Sequence, residues 1–214
     1  MIPFHESALL PTCGGWVPHA RPDPITGLVA FPDFHAVFGR HLVDSLVSGF
    51  SVGVAIGDVD DLKSYVEDSN EGDPECFGHL AGNALMARCG AVGTTWFRKQ
   101  LFSAGCMSTF GGDEIIIAAA VMNSAKFKPT IVTLRDRCRQ WLPRTVSFGI
   151  AVVTPDTPGL SEHLHAPLRI ANLVLAGVDR ALFTHKSARR RNEGEEGFVV
   201  DIDLDLRTVG HVIS

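Results

Sequence analysis

Two short acidic motifs carry the residue types best suited to catalysis. Asp58 and Asp60 stand two residues apart after a β-rich run that begins at Phe50, and Asp113 and Glu114 follow a glycine pair. Residues two apart on a strand point to the same side. Magnesium prefers hard oxygen ligands such as carboxylates and backbone carbonyls. If the two motifs lie on neighbouring strands, Asp58 faces Asp113, and the pair predicts a magnesium site.

Each motif also has a purely structural explanation. An Asp-x-Asp sequence at the end of a strand is typical of a helix cap, and Gly-Gly-Asp-Glu is typical of a tight turn. Taken singly, each motif favours the structural explanation. Their occurrence together, in the order strand, helix, helix and hairpin, favours a metal site.

The elements that must position these residues follow from the hydrophobic pattern. Two β-rich runs at 106–110 and 114–121 flank the glycine pair, which predicts a β-hairpin because its turn requires positive φ angles. Helical periodicity predicts helices at 31–46, 85–96, 131–142 and 167–188. A short helix followed by a loop is expected within 62–76. Further strands are expected at 50–57, 145–153 and 197–204. This mixture predicts an α+β or α/β sheet covered by helices.

The composition excludes several classes of protein. The 214 residues include 19 basic and 24 acidic side chains, a net charge of −5, which argues against a nucleic-acid coat or a binder of anionic membranes. The longest apolar run, Ile115–Met122, is too short to span a bilayer. The five cysteines form no C-x-x-C pair and indicate reduced thiols. We therefore expect a cytoplasmic protein with no membrane and no nucleic-acid partner.

The sequence from Phe110 to Ile115 resembles the G-G-D-E-F motif of the diguanylate cyclases. Further landmarks of that family occur in the family's order: D-P-I-T-G-L at 23–28, D-V-D-D-L-K at 58–63, G-H-L-A-G-N at 78–83, V-S-F-G at 146–149 and D-R-A-L-F-T-H-K at 179–186. The resemblance divides the chain into a leader or linker at 1–22, a GGDEF-like domain at 23–192 and a C-terminal strand extension at 193–214.

The resemblance implies both a fold and a reaction. The fold is α+β and palm-like, with a mixed, mainly antiparallel central sheet covered by helices. The reaction condenses two molecules of GTP into cyclic di-GMP, with release of pyrophosphate, across a transient antiparallel homodimer. Such an enzyme is a nucleotidyltransferase of bacterial second-messenger signalling.

The family's metal and catalytic positions carry over to this sequence residue by residue. Asp58, the Val59 carbonyl, Asp113 and Glu114 would hold Mg²⁺ or Mn²⁺. Asp113, Glu114 and Lys63 are the catalytic candidates, and Glu114 occupies the position that helps to deprotonate the attacking 3′-hydroxyl.

The resemblance also implies a phosphate site. Backbone N–H groups around Asp61, Leu62 and Lys63 would cradle phosphates at a helix start. Lys63, Lys186 and Arg190 would pair with phosphate oxygens, and Lys186 and Arg190 share a helix face if their helix continues.

The residues that would read the base depart from the family's pattern. The guanine-reading asparagine of the family is Val66 here, and its partner aspartate is Asn83. An insertion at 68–76 contains Asn70 as a replacement amide, and His79 takes a position near the nucleotide. We therefore expect weakened selectivity for guanine, with ATP as an alternative substrate.

Another departure concerns inhibition by the product. The family's R-x-x-D motif would occupy Phe102 and Gly105, so it is absent, and no inhibition of that type is expected. The metal-binding positions match the family while the base-reading positions are altered, which favours an enzyme. The alternative is a GGDEF domain with little or no catalysis that acts as a nucleotide-binding or protein-interaction module.

Overall fold

The structure is a computed structural model that describes residues 15–72, 79–191 and 197–209. Its helices are α1 (Phe31–Val47), α2 (Leu62–Gly72), α3 (Leu80–Phe97), α4 (Phe127–Trp141), α5 (Pro167–Arg191) and α6 (Leu206–Val209). Its strands are β1 (Val29–Ala30), β2 (Ser51–Val59), β3 (Ala104–Gly111), β4 (Glu114–Val121), β5 (Val146–Val153) and β6 (Val199–Ile202).

The strands form one mixed sheet in the order β1-β3-β4-β2-β5-β6. Strands β3, β4, β2 and β5 pair antiparallel with one another, while β1 and β6 pair in parallel at the two edges. This confirms the predicted α+β fold with a mainly antiparallel sheet. The register differs by one residue from the expectation for the acidic motifs: Asp58 lies opposite Glu114, and Asp113 sits in the turn before β4.

Helices cover both faces of the sheet, each over its own hydrophobic cluster. On one face, Phe38 of α1 and Val178 of α5 are completely buried. On the other face, Leu85 of α3 and Leu134 of α4 are equally buried. Alternate residues of the central strands supply both clusters, as expected for strands covered on two sides.

The turn between β3 and β4 is the predicted hairpin. Gly111 has φ of +112° and Gly112 has φ of +64°, values that residues with a Cβ rarely adopt. The Thr109 hydroxyl donates a hydrogen bond of 2.9 Å to the Glu114 carbonyl oxygen. These features fix the direction in which Asp113 and Glu114 leave the turn.

The two ends of the described chain join the sheet and its helices. Trp16 and Val17, within the stretch that the sequence assigns to a leader, are buried. The Trp16 ring stacks on His41 of α1 at 5.2 Å, and residues 1–14 lie outside the described residues. At the other end, β6 forms the expected edge strand within 197–204.

None of the helices in the described part of the chain is long and apolar enough to cross a membrane.

Candidate functional site

A cleft of about 600 Å³ opens beside the hairpin turn, between α2 and α3. We call it the hairpin cleft. Several residues that the sequence marks as candidates line it: Leu62, Lys63, Val66, His79, Asn83 and Asp113. The fold thus brings together the start of α2, the start of α3 and the glycine-rich turn, which are separated by up to fifty residues in sequence.

The start of α2 lines this cleft through Leu62 and Lys63. Asp61 has φ of +49°, a left-handed conformation that Asp tolerates better than most residues, and its carbonyl accepts the first helical hydrogen bond from Tyr65 at 3.0 Å. Lys63 follows in the first turn, and its side chain is 89% exposed with an ion pair of 3.7 Å to Glu67. A helix N-terminus with a nearby lysine can bind an anion such as phosphate.

Close packing between α2 and α3 forms the floor of the hairpin cleft. A Cβ added to Gly82 would lie 3.2 Å from Val66 Cγ2, so the small residue lets the two helices approach. Gly82 of the G-H-L-A-G-N motif also lines the cleft, as do Glu67 and Met86, which the sequence analysis did not single out. Asn83 is exposed in the cleft, whereas Asn70, the proposed replacement amide, is not among its lining residues.

An acidic cluster lies at the end of β2, where it is held by a lysine from α5. The Lys186 ammonium forms an ion pair with Asp58, lies 3.0 Å from Asp60 Oδ1 and lies 3.5 Å from the Val59 carbonyl oxygen. Asp58 and Asp60 therefore lie on the same side of the chain, as their spacing predicts. Burial opposes the charge of Lys186, but its contacts with the two carboxylates outweigh burial and raise its pKa.

Asp60 is the most buried member of this cluster. Its Oδ2 atom accepts hydrogen bonds from the Thr145 hydroxyl at 2.8 Å, the Ser147 hydroxyl at 2.9 Å and the Gly197 N–H at 3.0 Å. These donors come from β5 and from the chain just before β6. The sequence shows Asp60 only as the second acid of a strand-end motif, and its anchoring of three segments appears only in the fold.

Glu114 lies on the same side of the sheet as Asp58, away from the hairpin cleft. It lines a smaller cavity of about 230 Å³ together with Phe31, Phe110 and Asp179. Burial raises the pKa of Glu114 to about 7, and the negative charges of Asp179, Asp58 and Asp113 add to the effect. A carboxyl with such a pKa can accept a proton near neutral pH.

Part of the oxygen donor set predicted for a metal surrounds the Lys186 ammonium. Among the described residues, no group of three or more His, Cys, Asp or Glu side chains is gathered as a ready metal site. The Asp58 carboxylate and the Val59 carbonyl nevertheless converge on one cation, the ammonium of Lys186. Their donor chemistry fits a hard divalent cation.

Two further sequence candidates lie at the limits of the described residues. Helix α5 continues to Arg191, so the Lys186 and Arg190 backbones belong to one helix, but the Arg190 side chain lies outside the described residues. Residues 73–76 of the insertion also lie outside them.

Comparisons with known proteins agree with this architecture. No protein-family model matches the sequence, and no curated protein matches it. The GGDEF domain of DgcB from Caulobacter crescentus, solved in complex with c-di-GMP, superposes with a TM-score of 0.59 at 19% identity, covering 84% of this chain and 92% of that one. A microbial GGDEF domain described with bis-(3′,5′)-cyclic di-GMP gives a TM-score of 0.61 at 20% identity, covering 86% of this chain and 100% of that one.

A third solved structure shows the same likeness at lower identity. The GGDEF domain of FimX from Pseudomonas aeruginosa gives a TM-score of 0.55 at 14% identity, covering 85% of this chain and 98% of that one. At these low identities, the superpositions show a shared fold. The chain therefore has the palm-like α+β fold of the GGDEF domains.

Proposed function

We propose that this protein is a diguanylate-cyclase-like enzyme that condenses two nucleoside triphosphates into a cyclic dinucleotide such as cyclic di-GMP. The observation that carries the proposal is the hairpin cleft, in which the G-G-D-E turn meets the helix start that follows the D-V-D motif. Its volume of about 600 Å³ lies within the usual range for small-molecule sites. Two of the structural neighbours are described with cyclic di-GMP, which supports the choice of nucleotide chemistry.

The triphosphate would bind at the start of α2. Backbone N–H groups of Asp61, Leu62 and Lys63 would face its oxygens, because a helix start favours anions. The exposed Lys63 side chain can leave its weak pairing with Glu67 for a phosphate oxygen. Lys186 and Arg190 would add positive charge from α5.

Asp58, the Val59 carbonyl, Asp113 and Glu114 would hold Mg²⁺ or Mn²⁺. Such a metal, when bound, would polarise the phosphoryl oxygens and stabilise the charge of the departing pyrophosphate. Lys186 already neutralises part of this acidic cluster.

In each half of the reaction, the 3′-hydroxyl oxygen of one nucleotide forms a bond to the α-phosphorus of the other, and the bond to pyrophosphate breaks. Glu114, whose pKa is raised to about 7, would help to take up the hydroxyl proton. Two such transfers close the ring and release two pyrophosphates. Because each chain offers one hairpin cleft, the reaction would use a transient antiparallel homodimer.

Base recognition would fall to Val66 and Asn83, which line the hairpin cleft. Guanine presents two adjacent donors that a carboxylate accepts together, whereas the Asn83 amide offers one acceptor and one donor. Adenine presents one donor beside one acceptor, which suits the amide better. We therefore include ATP with GTP among the proposed substrates.

A nucleotide-binding module without turnover is the second candidate. It is favoured by the engagement of Lys186 with Asp58 and by the scattered arrangement of carboxylates in the described part of the chain. Such a module would bind triphosphate in the hairpin cleft and release no pyrophosphate.

The deciding experiment incubates the purified protein with GTP, ATP or both in the presence of Mg²⁺. Chromatography with mass spectrometry identifies the nucleotide product, and a coupled assay measures pyrophosphate. We expect a cyclic dinucleotide that disappears in Asp113→Ala but persists in Asp44→Asn, a change to an exposed carboxylate on α1. Tight triphosphate binding with no pyrophosphate would establish the second candidate instead, and absence of both binding and turnover would overturn the proposal.

A further inference from the structure

We infer that a second cleft, at the end of the sheet opposite the hairpin turn, docks an acidic amphipathic segment of a partner protein. This distal cleft has a volume of about 410 Å³ and lies between the C-terminal end of α3 and the N-terminal end of α4. Phe102 and Phe127 form its apolar floor, Leu101 and Met122 lie at its exposed rim, and Lys99 and Lys126 supply its positive charge.

The distal cleft is far from the hairpin cleft. Strand β4 runs the eight residues from Glu114, next to the turn, to Val121, which lines the distal cleft. At roughly 3.3 Å per residue, the two clefts are separated by roughly 23 Å along the strand. An occupant of the distal cleft therefore leaves the hairpin cleft open.

The floor of the distal cleft is aromatic and packs against buried aromatic rings of the core. The Phe102 ring lies 5.4 Å from Phe97, 6.1 Å from Trp96 and 6.5 Å from Phe127 between ring centroids. Phe127 is almost fully buried, so the floor belongs to the core of the α3–α4 face. Such a preformed apolar surface suits a single large apolar side chain.

Two large apolar side chains stand outside this floor, at the rim. Leu101 is fully exposed and Met122 is 86% exposed. A small molecule within the cleft would leave both side chains in water, whereas a polypeptide lying across the rim would cover them. Exposed leucine and methionine beside an apolar cleft are typical of protein-binding surfaces.

The charge of the cleft selects the partner. Lys99 and Lys126 line it, no aspartate or glutamate does, and within the described ranges neither lysine takes part in an ion pair. Both lysines are exposed in a chain whose net charge is −5. Electrostatic complementarity therefore favours carboxylates on the partner.

Two neutral polar side chains of the cleft already form hydrogen bonds within the chain. The Gln100 side chain donates to the Trp96 carbonyl at 2.9 Å, and the Asn123 side chain accepts from the Ala125 N–H at 3.0 Å. Lys99 and Lys126 are the charged groups that line the cleft.

The same charges argue against a second copy of this chain docked through the same face. A twofold dimer places identical surfaces together, so Lys99 and Lys126 of one copy would meet the lysines of the other. Like charges in such an arrangement disfavour association.

A random dodecapeptide library displayed on phage, selected on the immobilised full-length protein, tests the inference. We expect enriched peptides with an apolar anchor flanked by Asp or Glu. Their synthetic versions should bind at least tenfold more weakly to Leu101→Ser/Met122→Ser and to Lys99→Glu/Lys126→Glu. Because all four positions are exposed, these variants should keep the parent's melting temperature.

The matched controls lie on α1, on the other face of the sheet. Val47→Ser removes an exposed apolar side chain and Arg40→Glu reverses an exposed charge, and both should bind the peptides as the parent does. The inference is overturned if no acidic amphipathic sequence is enriched, or if the distal-cleft variants bind the peptides as tightly as the controls. Self-association of the parent that vanishes in Leu101→Ser/Met122→Ser would identify a second copy as the occupant and would also overturn it.

Discussion

The Lys186 ammonium lies 3.0 Å from Asp60 Oδ1, and this contact ties α5 to the end of the central strand β2. The side chain of Lys186 is 11% exposed and that of Asp60 is 4% exposed, so the pair is largely shielded from water. Asp58 contacts the same lysine, but its side chain is 24% exposed. The two acids of one motif therefore differ in their surroundings: Asp60 is fixed by buried contacts, while Asp58 keeps some exposure to solvent.

This difference predicts unequal losses of stability for two matched variants. Asp60→Asn should lower the free energy of unfolding by about 3 kcal/mol, because it removes a buried charge that pairs with Lys186 and accepts three hydrogen bonds. Asp58→Asn should lower it by about 1 kcal/mol or less, since Lys186 still pairs with Asp60 and the repulsion between Asp58 and Glu114 is removed. Urea denaturation without metal measures both. Equal losses would show that the two acids are equivalent.

Part of this arrangement could be predicted from the sequence. The glycine pair between two β-rich runs is a local signal, and the hairpin from β3 to β4 forms as expected because the turn chemistry is contained within a few residues. The contacts of Asp60 could not be predicted in this way. Its donors Thr145 and Ser147 lie more than eighty residues away, and only the pairing of β2 with β5 brings them together.

The placement of Asp113 and Glu114 around the turn also lies beyond sequence reasoning. The two residues are neighbours, and the family resemblance implies one metal site for both. In the fold, Asp113 lines the hairpin cleft while Glu114 lines the cavity on the other side of the turn. A change of strand register by one residue reverses the face of every side chain, so motif spacing alone could not decide between the two faces.

The contact between α1 and α5 gives a prediction about stability. A Cβ added at Gly39 would overlap the Pro167 carbonyl, where α5 begins. Gly39→Ala should therefore lower the free energy of unfolding by about 2 kcal/mol, despite the better helix propensity of alanine. The exposed neighbour Arg40→Ala should change it by about 0.5 kcal/mol or less. A melting temperature for Gly39→Ala at or above that of the parent would contradict the observed packing.

Turnover should depend on the protein concentration if the proposed function is correct. Each chain has one hairpin cleft, and the reaction joins two nucleotides, so the rate per chain should rise on concentrating the protein until the dimer saturates. A dilution series with pyrophosphate as the readout measures this. Adding an excess of Asp113→Ala chains to a fixed amount of parent should lower the rate of cyclic product, because mixed dimers carry one defective cleft. A rate per chain that stays constant across the series would exclude the dimer mechanism.

Cyclic di-GMP should not inhibit turnover at saturating GTP. The positions of the R-x-x-D motif are taken by Phe102, whose ring packs near Trp96 and Phe127, and by Gly105, which is buried in β3. Neither residue offers a charge to a phosphate or a guanine. Initial rates with and without added cyclic di-GMP test this expectation, and a fall in the maximal rate would contradict it.

The last prediction concerns base selection at Asn83. This residue is exposed in the hairpin cleft, so a substitution there should leave the fold intact and act on the ligand alone. Asn83→Asp supplies a carboxylate that accepts both guanine donors, while it places a negative charge against the acceptor N1 of adenine. An unpaired polar group buried by the ligand costs about 1–3 kcal/mol, so the ratio of GTP to ATP affinity should rise by about tenfold or more. Calorimetric titration with non-hydrolysable analogues of both nucleotides measures this ratio. Asn123→Asp, the same substitution at the distal cleft, should leave it at the parent's value. If Asn83→Asp also leaves the ratio unchanged, the base is read by other residues of the cleft and not by the amide at position 83.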